Sequence, residues 1–148
     1  MQSLERIEIE HTCAQLSIAY ARHIDFREYD AFVELFAEDG HLDAGFPFDG
    51  REAIRESFKK RPDKLRSRHI LTNVHIEALD SDHARGISYL SLYRHIGDES
   101  LGEDPIAFEG PAAVGHYEDE FVRTAEGWRF AKRVLYFAFR RADAFPRR

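Results

Sequence analysis

This sequence of 148 residues is poor in cysteine and contains no long apolar run. Its single cysteine, Cys13, excludes an intramolecular disulfide and any zinc site built from several cysteines. No apolar run approaches the roughly 20 residues that span a bilayer. The first residues lack the charged and apolar regions of a signal peptide. We therefore expect a cytoplasmic protein with no membrane partner.

The sequence also lacks an excess of positive charge and the common catalytic motifs. Its 27 acidic side chains outnumber its 21 basic ones and give a formal net charge of −6. Because phosphate binding needs a cationic surface, this balance argues against nucleic acid as a partner. There is no H-x-H pair or HExxH for a metal, no G-x-S-x-G for a nucleophilic serine and no G-x-x-x-x-G-K for phosphates. We predict neither a metal nor an organic cofactor.

The length predicts one domain over residues 1–148, and the first third of the chain has helical periodicity. Apolar residues from Ile9 to Ile24 recur every three or four positions, which predicts a long amphipathic helix. The predicted elements of this part are a helix from an N-cap at Ser3 to about Asp25, a helix over 27–36, a strand over 40–44 and a helix opened by a capping box at 49–52 and ended by Pro62.

From residue 68 the hydrophobic period changes from 3.6 to 2, which is typical of strands. Strands are predicted over 69–78, 85–95, 112–124 and 128–139, and in the first of them His69 and His75 fall on one face. The loop over 97–111 is interpreted either as a cover for an active site or as a disordered connection. Helices followed by an antiparallel meander predict the α+β class, with the helices covering one face of a curved sheet. The basic tail over 140–148 is interpreted as a solvated end.

Four stretches of this sequence carry a resemblance to a known family. They are YARHIDFREYDAFVELFAEDG, GREAIRESF, SRHILTNVHIE and GHYEDEFVRTAEGWRFAKR. In this order and spacing they resemble the SnoaL-like branch of the nuclear-transport-factor-like superfamily, over a core of about 7–139. The resemblance implies a cone-shaped fold, in which N-terminal helices pack in a strongly curved, mostly antiparallel sheet and enclose an apolar pocket. It also implies a homodimer or homotrimer.

The resemblance also points to individual residues. Scytalone dehydratase and hexachlorocyclohexane dehydrochlorinase carry an Asp at the end of the first helical region and a His at the start of the first long strand, and these positions are Asp25 and His69 here. The dehydrochlorinase places an Arg shortly after a Trp-x-Phe, which corresponds to Arg133. Bile acid dehydratase has a Tyr five residues before its Asp, which corresponds to Tyr20. The second His of scytalone dehydratase is not matched, because Arg94 stands near that position.

These four residue types suit the removal of a carbon-bound proton while a neighbouring group leaves. The imidazole of His69 would be the general base, and the carboxylate of Asp25 would fix its tautomer. Arg133 would stabilise the departing anion and Tyr20 would donate a hydrogen bond. The leading hypothesis is a cofactor-independent lyase, a dehydratase or an isomerase, acting on a hydrophobic, cyclic small molecule. We expect its pocket to be lined by Phe32, Phe36, Phe46, Leu71, Leu90, Tyr117 and Phe137.

Each of these residues also has a purely structural interpretation. Asp25 would be the N-cap of the second helix, Tyr20 and His69 would be core residues, and Arg133 would pair with Glu118 or Glu120 across a hairpin. The chain as a whole has two further interpretations. One is a non-catalytic module of the same fold that binds a small ligand. The other is a structural subunit resembling the small β subunit of aromatic-ring dioxygenases.

Overall fold

The structure is a computed structural model, and it describes residues 1–145. Arg147 and Arg148 of the predicted basic tail lie outside the described residues. In chain order the elements are α1 (Ser3–Asp25), α2 (Tyr29–Val33), β1 (Phe36–Asp43), β2 (Pro47–Asp49), α3 (Arg51–Ser57), β3 (Leu65–Ala78), β4 (His83–Ile96), β5 (Ala113–Thr124) and β6 (Gly127–Arg140), with short 3-10 helices at Phe58–Lys60, Asp98–Leu101 and Ala142–Ala144.

The strands form one curled, open sheet in the order β2-β1-β6-β5-β4-β3. All neighbouring strands are antiparallel except β1 and β6, which run parallel. Helix α1 packs against β3 at one edge of the sheet and reaches β6 near its middle. The prediction of an α+β fold, with N-terminal helices packed in a curved, mostly antiparallel sheet, is confirmed. In the described part of the chain, no helix combines the length and apolarity needed to cross a bilayer.

Helix α1 follows the predicted apolar stripe. Ile9, Cys13, Tyr20 and Ile24 are buried, together with the small polar residue Ser17. The helix ends at Asp25 as predicted, and its N-cap is the residue before Ser3. The stripe therefore directs one face of the helix into the sheet and brings the end of the helix to β3.

The predicted second helix is shorter than expected, and the strand after it is longer. Helix α2 ends at Val33, and Phe36 already belongs to β1 instead of the helix predicted over 27–36. Phe36 is fully buried, pairs with Phe130 of β6, and its ring centroid lies 5.2 Å from that of Phe130. Contacts between distant parts of the chain thus override the local helical pattern.

The predicted capping box at 49–52 is wrong. The N-cap of α3 is Gly50, which has a φ of 88° and makes no side-chain cap hydrogen bond. Asp49 lies in β2, and its carboxylate contacts Nδ1 of His41 at 2.6 Å. The left-handed conformation at this turn favours glycine, so the chain enters the helix without a capping carboxylate.

A bulge in β3 changes which residues face the helices. Asn73 has a φ of 52°, and the register with β4 shifts between Thr72 and His75. Beyond this extra residue the faces exchange, so that Ala78 joins the face of His69. His75 turns to the opposite face, and the prediction that it shares a face with His69 is wrong.

At Gly115 in β5, the backbone of β6 comes too close to leave room for a side chain. A Cβ at Gly115 would lie 2.3 Å from the carbonyl oxygen of Tyr136 on β6. We expect Gly115→Ala to lower the free energy of unfolding by about 1–3 kcal/mol in urea denaturation, because backbone must move to admit the methyl group. Gly102→Ala is the control, since its nearest neighbour would be 3.7 Å away. An equal effect of the two substitutions would contradict this account.

Candidate active site

A cavity of about 1150 Å³ opens between the helices and the inner face of the sheet. It is lined by residues of α1, α2, the 3-10 turn at Phe58–Lys60 and strands β3 to β6. Four of the seven predicted pocket residues are on its wall: Phe32, Phe46, Tyr117 and Phe137. The structure places the other three elsewhere: Phe36 and Leu90 are buried in the core, and Leu71 packs against that core.

His69 and Tyr20 lie on the cavity wall, and Asp25 lies behind His69. The Asp25 carboxylate accepts three hydrogen bonds from β3. Nδ1 of His69 lies 2.6 Å from Oδ1, the backbone N–H of His69 donates to Oδ2 at 2.8 Å, and the hydroxyl of Ser67 donates to Oδ1 at 2.8 Å. The side chains of His69 and Asp25 are only 11% and 6% exposed. With Nδ1–H assigned to the carboxylate, Nε2 is the basic nitrogen left for a molecule in the cavity.

The structure excludes the capping interpretation of Asp25. The N-cap of α2 is Glu28, and no side-chain cap hydrogen bond is formed there. Asp25 is the last residue of α1 instead, and its carboxylate points to β3. It therefore ties the end of the helix to the strand that carries His69.

The pKa of His69 is set mainly by its burial. Burial lowers the pKa of His69 below its ordinary value, Asp25 opposes this shift, and the cations Arg61 and Arg133 add to it. The neutral ring is thus the dominant form near neutral pH. A neutral imidazole whose Nδ1–H is held by a carboxylate has the protonation state that a general base requires.

Arg133 is not on the cavity wall. Its guanidinium is fully buried and paired with Asp119, with Nε and Nη2 donating to the two carboxylate oxygens at 2.8 and 3.1 Å. Nη2 also donates to the hydroxyl of Ser17 at 3.2 Å. The strand register pairs Arg133 with Asp119, so the expected partner, Glu118 or Glu120, is wrong by one position. Burial opposes the charge, but the carboxylate of Asp119 keeps the pKa of Arg133 above its ordinary value.

Two phenol rings separate this ion pair from the cavity. The guanidinium carbon of Arg133 lies 3.7 Å from the ring centroid of Tyr117 and 4.3 Å from that of Tyr20. Both rings line the cavity, and their centroids are 5.6 Å apart. Arg133 is therefore stacked behind the aromatic wall that these two rings form.

Sequence reasoning missed three residues of this arrangement. Ser67 stands two positions before His69, and this strand spacing is a signal that both side chains face the same side. Asp119 lies between two other acids, and the alternation of β5 puts it on the inner face with Tyr117. Arg61 lines the cavity and donates to Ser67 at 3.5 Å, but it follows a 3-10 turn and has no periodic signal.

The 97–111 loop does not cover the cavity. Within residues 1–145, the cavity wall includes none of its members and is completed by Phe145 instead. The loop is fixed at the outside by Arg66, whose guanidinium donates to the carbonyl oxygens of Glu99, Gly102 and Asp104. The interpretation of this loop as a cover for the cavity is therefore wrong for the described residues.

The residue types of the site do not form a metal centre. Over the described range, no group of three or more His, Cys, Asp or Glu side chains is arranged to hold a metal ion. The carboxylate of Asp25 is already engaged by β3.

The fold and the contact between His69 and Asp25 agree with a family assignment. A sequence profile of the SnoaL-like domain matches residues 5–134. The chain belongs to this family, and the resemblance predicted from the sequence is confirmed. A search of curated protein sequences finds no match.

Solved structures give the same fold. A proposed aromatic ring hydroxylase from Novosphingobium aromaticivorans is 26% identical, with a TM-score of 0.72 over 90% of this chain and 91% of its own. A proposed scytalone dehydratase from the same bacterium is 21% identical, with a TM-score of 0.72 over 90% and 85%. A hexachlorocyclohexane dehydrochlorinase is 15% identical, with a TM-score of 0.74 over 93% and 90%. The likeness to the latter two shows the fold alone.

The lowered pKa of His69 can be measured directly. We expect the Cε1 proton of His69 to titrate with a midpoint below 6.5 in NMR spectra, because burial disfavours the charged ring. The His69→Gln variant identifies the resonance by its loss. A midpoint at or above 6.5 would show that Asp25 outweighs burial and would contradict this balance.

Removing the buried charge of Arg133 should lower the free energy of unfolding more than removing the charge of a surface arginine would. Arg133→Met leaves the Asp119 carboxylate buried without its partner, and we expect a loss of about 3–5 kcal/mol in the free energy of unfolding by urea denaturation.

The double variant Arg133→Met/Asp119→Leu is the control, because it removes both charges together. It should be more stable than Arg133→Met alone. A single variant as stable as the wild type would show that the pair contributes nothing to the fold.

Proposed function

We propose that this chain is a cofactor-independent lyase or isomerase that acts on a hydrophobic, cyclic small molecule. The observation that carries this proposal is the contact of Nδ1 of His69 with Asp25 at the wall of a large cavity. This contact leaves Nε2 as the base. The family and its structural neighbours, among them a proposed dehydratase and a dehydrochlorinase, support a reaction of this type.

The reaction begins when Nε2 of His69 takes a proton from a carbon of the substrate. The C–H electron pair then forms a carbon–carbon double bond, and the bond to the leaving group on the neighbouring carbon breaks with its pair. A departing hydroxide takes the proton from the imidazolium and leaves as water, whereas a halide leaves as the anion and the imidazolium loses its proton to solvent. In an isomerase the proton returns from the imidazolium to another carbon. Asp25 stabilises the imidazolium in either case.

Tyr20 is the proposed hydrogen-bond donor to a substrate oxygen, because it lies on the wall with its ring centroid 6.3 Å from that of His69. Burial raises the pKa of Tyr20, which keeps it a neutral donor, and Arg133 opposes that shift. Arg133 is a positioning residue in this proposal, since it does not touch the cavity. It holds the rings of Tyr20 and Tyr117 in place and supplies positive potential behind them.

A binding module of the same fold is the second candidate, and the cavity itself is compatible with it. A volume of about 1150 Å³ can accommodate a small ligand whether or not a reaction follows. The structural-subunit alternative needs no His–Asp pair in a pocket. Neither alternative catalyses the removal of a proton from carbon, so this reaction distinguishes both of them from the proposed enzyme.

Hydrogen–deuterium exchange at carbon tests the proposal without knowledge of the leaving group. We expect the protein to accelerate exchange of the α protons of cyclic ketones in D2O, beginning with 1-tetralone and followed by NMR. His69→Gln should lose at least about a hundredfold of this rate, because it removes the base. Asp25→Asn should lose less, since the ring remains.

His41 offers a matched control for this experiment. Its Nδ1 also contacts a carboxylate at 2.6 Å, that of Asp49, but it lies on β1 and is not among the described residues of the cavity wall. His41→Gln should retain the wild-type rate. Equal rates in wild type and His69→Gln would contradict the lyase proposal, and binding of the ketone without exchange would favour the binding module.

A further inference from the structure

The cavity wall carries more positive charge than an apolar substrate needs. Among residues 1–145, five cationic side chains line it against one carboxylate, that of Glu56: Lys59, Lys60, Arg61, Arg94 and Arg140. Glu56 is already paired with Lys59, with 2.9 Å between Nζ and Oε1. The chain as a whole has a formal net charge of −6. Positive charge is therefore concentrated at this cavity, against the charge of the whole molecule.

Arg61 is a cation of this wall with unused hydrogen-bonding capacity. It is partly buried on the wall, and Nη2 donates to the hydroxyl of Ser67 over a long 3.5 Å. Its Nε is buried and has no hydrogen-bond partner among residues 1–145. No carboxylate in this part of the chain lies within ion-pair distance of Arg61, whereas the buried Arg133 has both oxygens of Asp119. A buried guanidinium N–H normally has an acceptor.

The same cavity also has an apolar part. Its wall includes the rings of Phe58 and Phe137, and the guanidinium carbons of Arg94 and Arg140 lie 4.9 and 5.8 Å from the ring centroid of Phe145. An apolar ring system can pack against these aromatic residues while an anionic group reaches the cations. Nε and Nη of one guanidinium form the fork that binds both oxygens of a carboxylate.

We infer that the substrate is an acid, in which an apolar cyclic body carries a carboxylate bound by Arg61. This inference rests on the proposed function in that it names the substrate class of the same site. The carboxylate supplies an acceptor to the guanidinium of Arg61, whose own hydrogen bond is the long one to Ser67, and Ser67 links this subsite to Asp25 through the hydroxyl that donates to Oδ1. The acidic group is thus bound next to the base and its partner.

The charge of Arg61 also reaches His69. Burial is the main cause of the lowered pKa of His69, and Arg61 adds to it. A carboxylate on Arg61 would offset this contribution and make the imidazole more basic while the acid is bound. Binding and proton abstraction would then support each other.

Anthracene-2-carboxylate and its methyl ester form a matched pair of fluorescent probes for this subsite. They share the apolar body, and only the acid is charged at pH 7. In fluorescence titrations we expect the wild type to bind the acid about tenfold more tightly than the ester. Arg61→Met should lower the affinity for the acid about tenfold and change that for the ester less than twofold, because it keeps the apolar stem.

Arg85→Met is the control, because it removes one positive charge from an exposed arginine of the outer sheet face, where it pairs with Glu77. This variant should retain the wild-type preference for the acid, and raising the salt concentration should weaken the preference in both proteins. Circular dichroism melting of Arg61→Met checks that the variant is folded.

Three outcomes would overturn the inference. They are equal affinity for acid and ester in the wild type, an acid preference that survives Arg61→Met in a folded variant, and no binding of either probe. The His69→Gln variant separates this inference from the proposed function. If it keeps the acid preference and ketone exchange is absent even in the wild type, the acid subsite stands and the lyase proposal fails.

Discussion

The carboxylate of Asp25 is the interaction on which the geometry of the site depends. It stands at the last residue of α1 and accepts hydrogen bonds from both Ser67 and His69 of β3. One carboxylate can serve both residues because they are two positions apart and share a strand face. The same group thus fixes the angle of the helix end, the position of the strand and the tautomer of the imidazole. Because it is nearly buried, these charge-assisted bonds are shielded from water.

A second ionic interaction is buried behind the aromatic wall of the cavity and has a different structural role. Arg133 and Asp119 neutralise each other behind the rings of Tyr20 and Tyr117. A buried pair of this kind costs desolvation and contributes little net stability, but it strongly penalises the loss of either partner. Its benefit is to hold the phenols that form the wall. The charge that can meet a ligand comes instead from residues at the cavity surface such as Arg61.

Much of this arrangement can be predicted from the sequence where the signal is local or periodic. The stripe from Ile9 to Ile24 predicts the buried face of α1 because helical periodicity sums over many residues. The start of β1 could not be predicted, since Phe36 owes its strand conformation to β6, which lies far along the chain. The face of His75 depends on a bulge at Asn73 that leaves no pattern. The partner of Arg133 is set by the register of the β5–β6 hairpin. The sequence offers three adjacent acids, and it does not show which of them this register places opposite Arg133.

The structural origin of each site residue suggests how specificity can change while the chemistry is kept. Asp25 and His69 belong to α1 and β3, which are packed along their length and hold the pair rigidly. Arg61 and Phe145 belong to irregular segments next to 3-10 turns, outside the sheet. Residues in such segments take no part in the ladder of strand hydrogen bonds, so their side chains can vary with less effect on the fold. A common scaffold can therefore present one base and partner to chemically different ligands, with the charge of the bound group set by residues that the scaffold does not constrain.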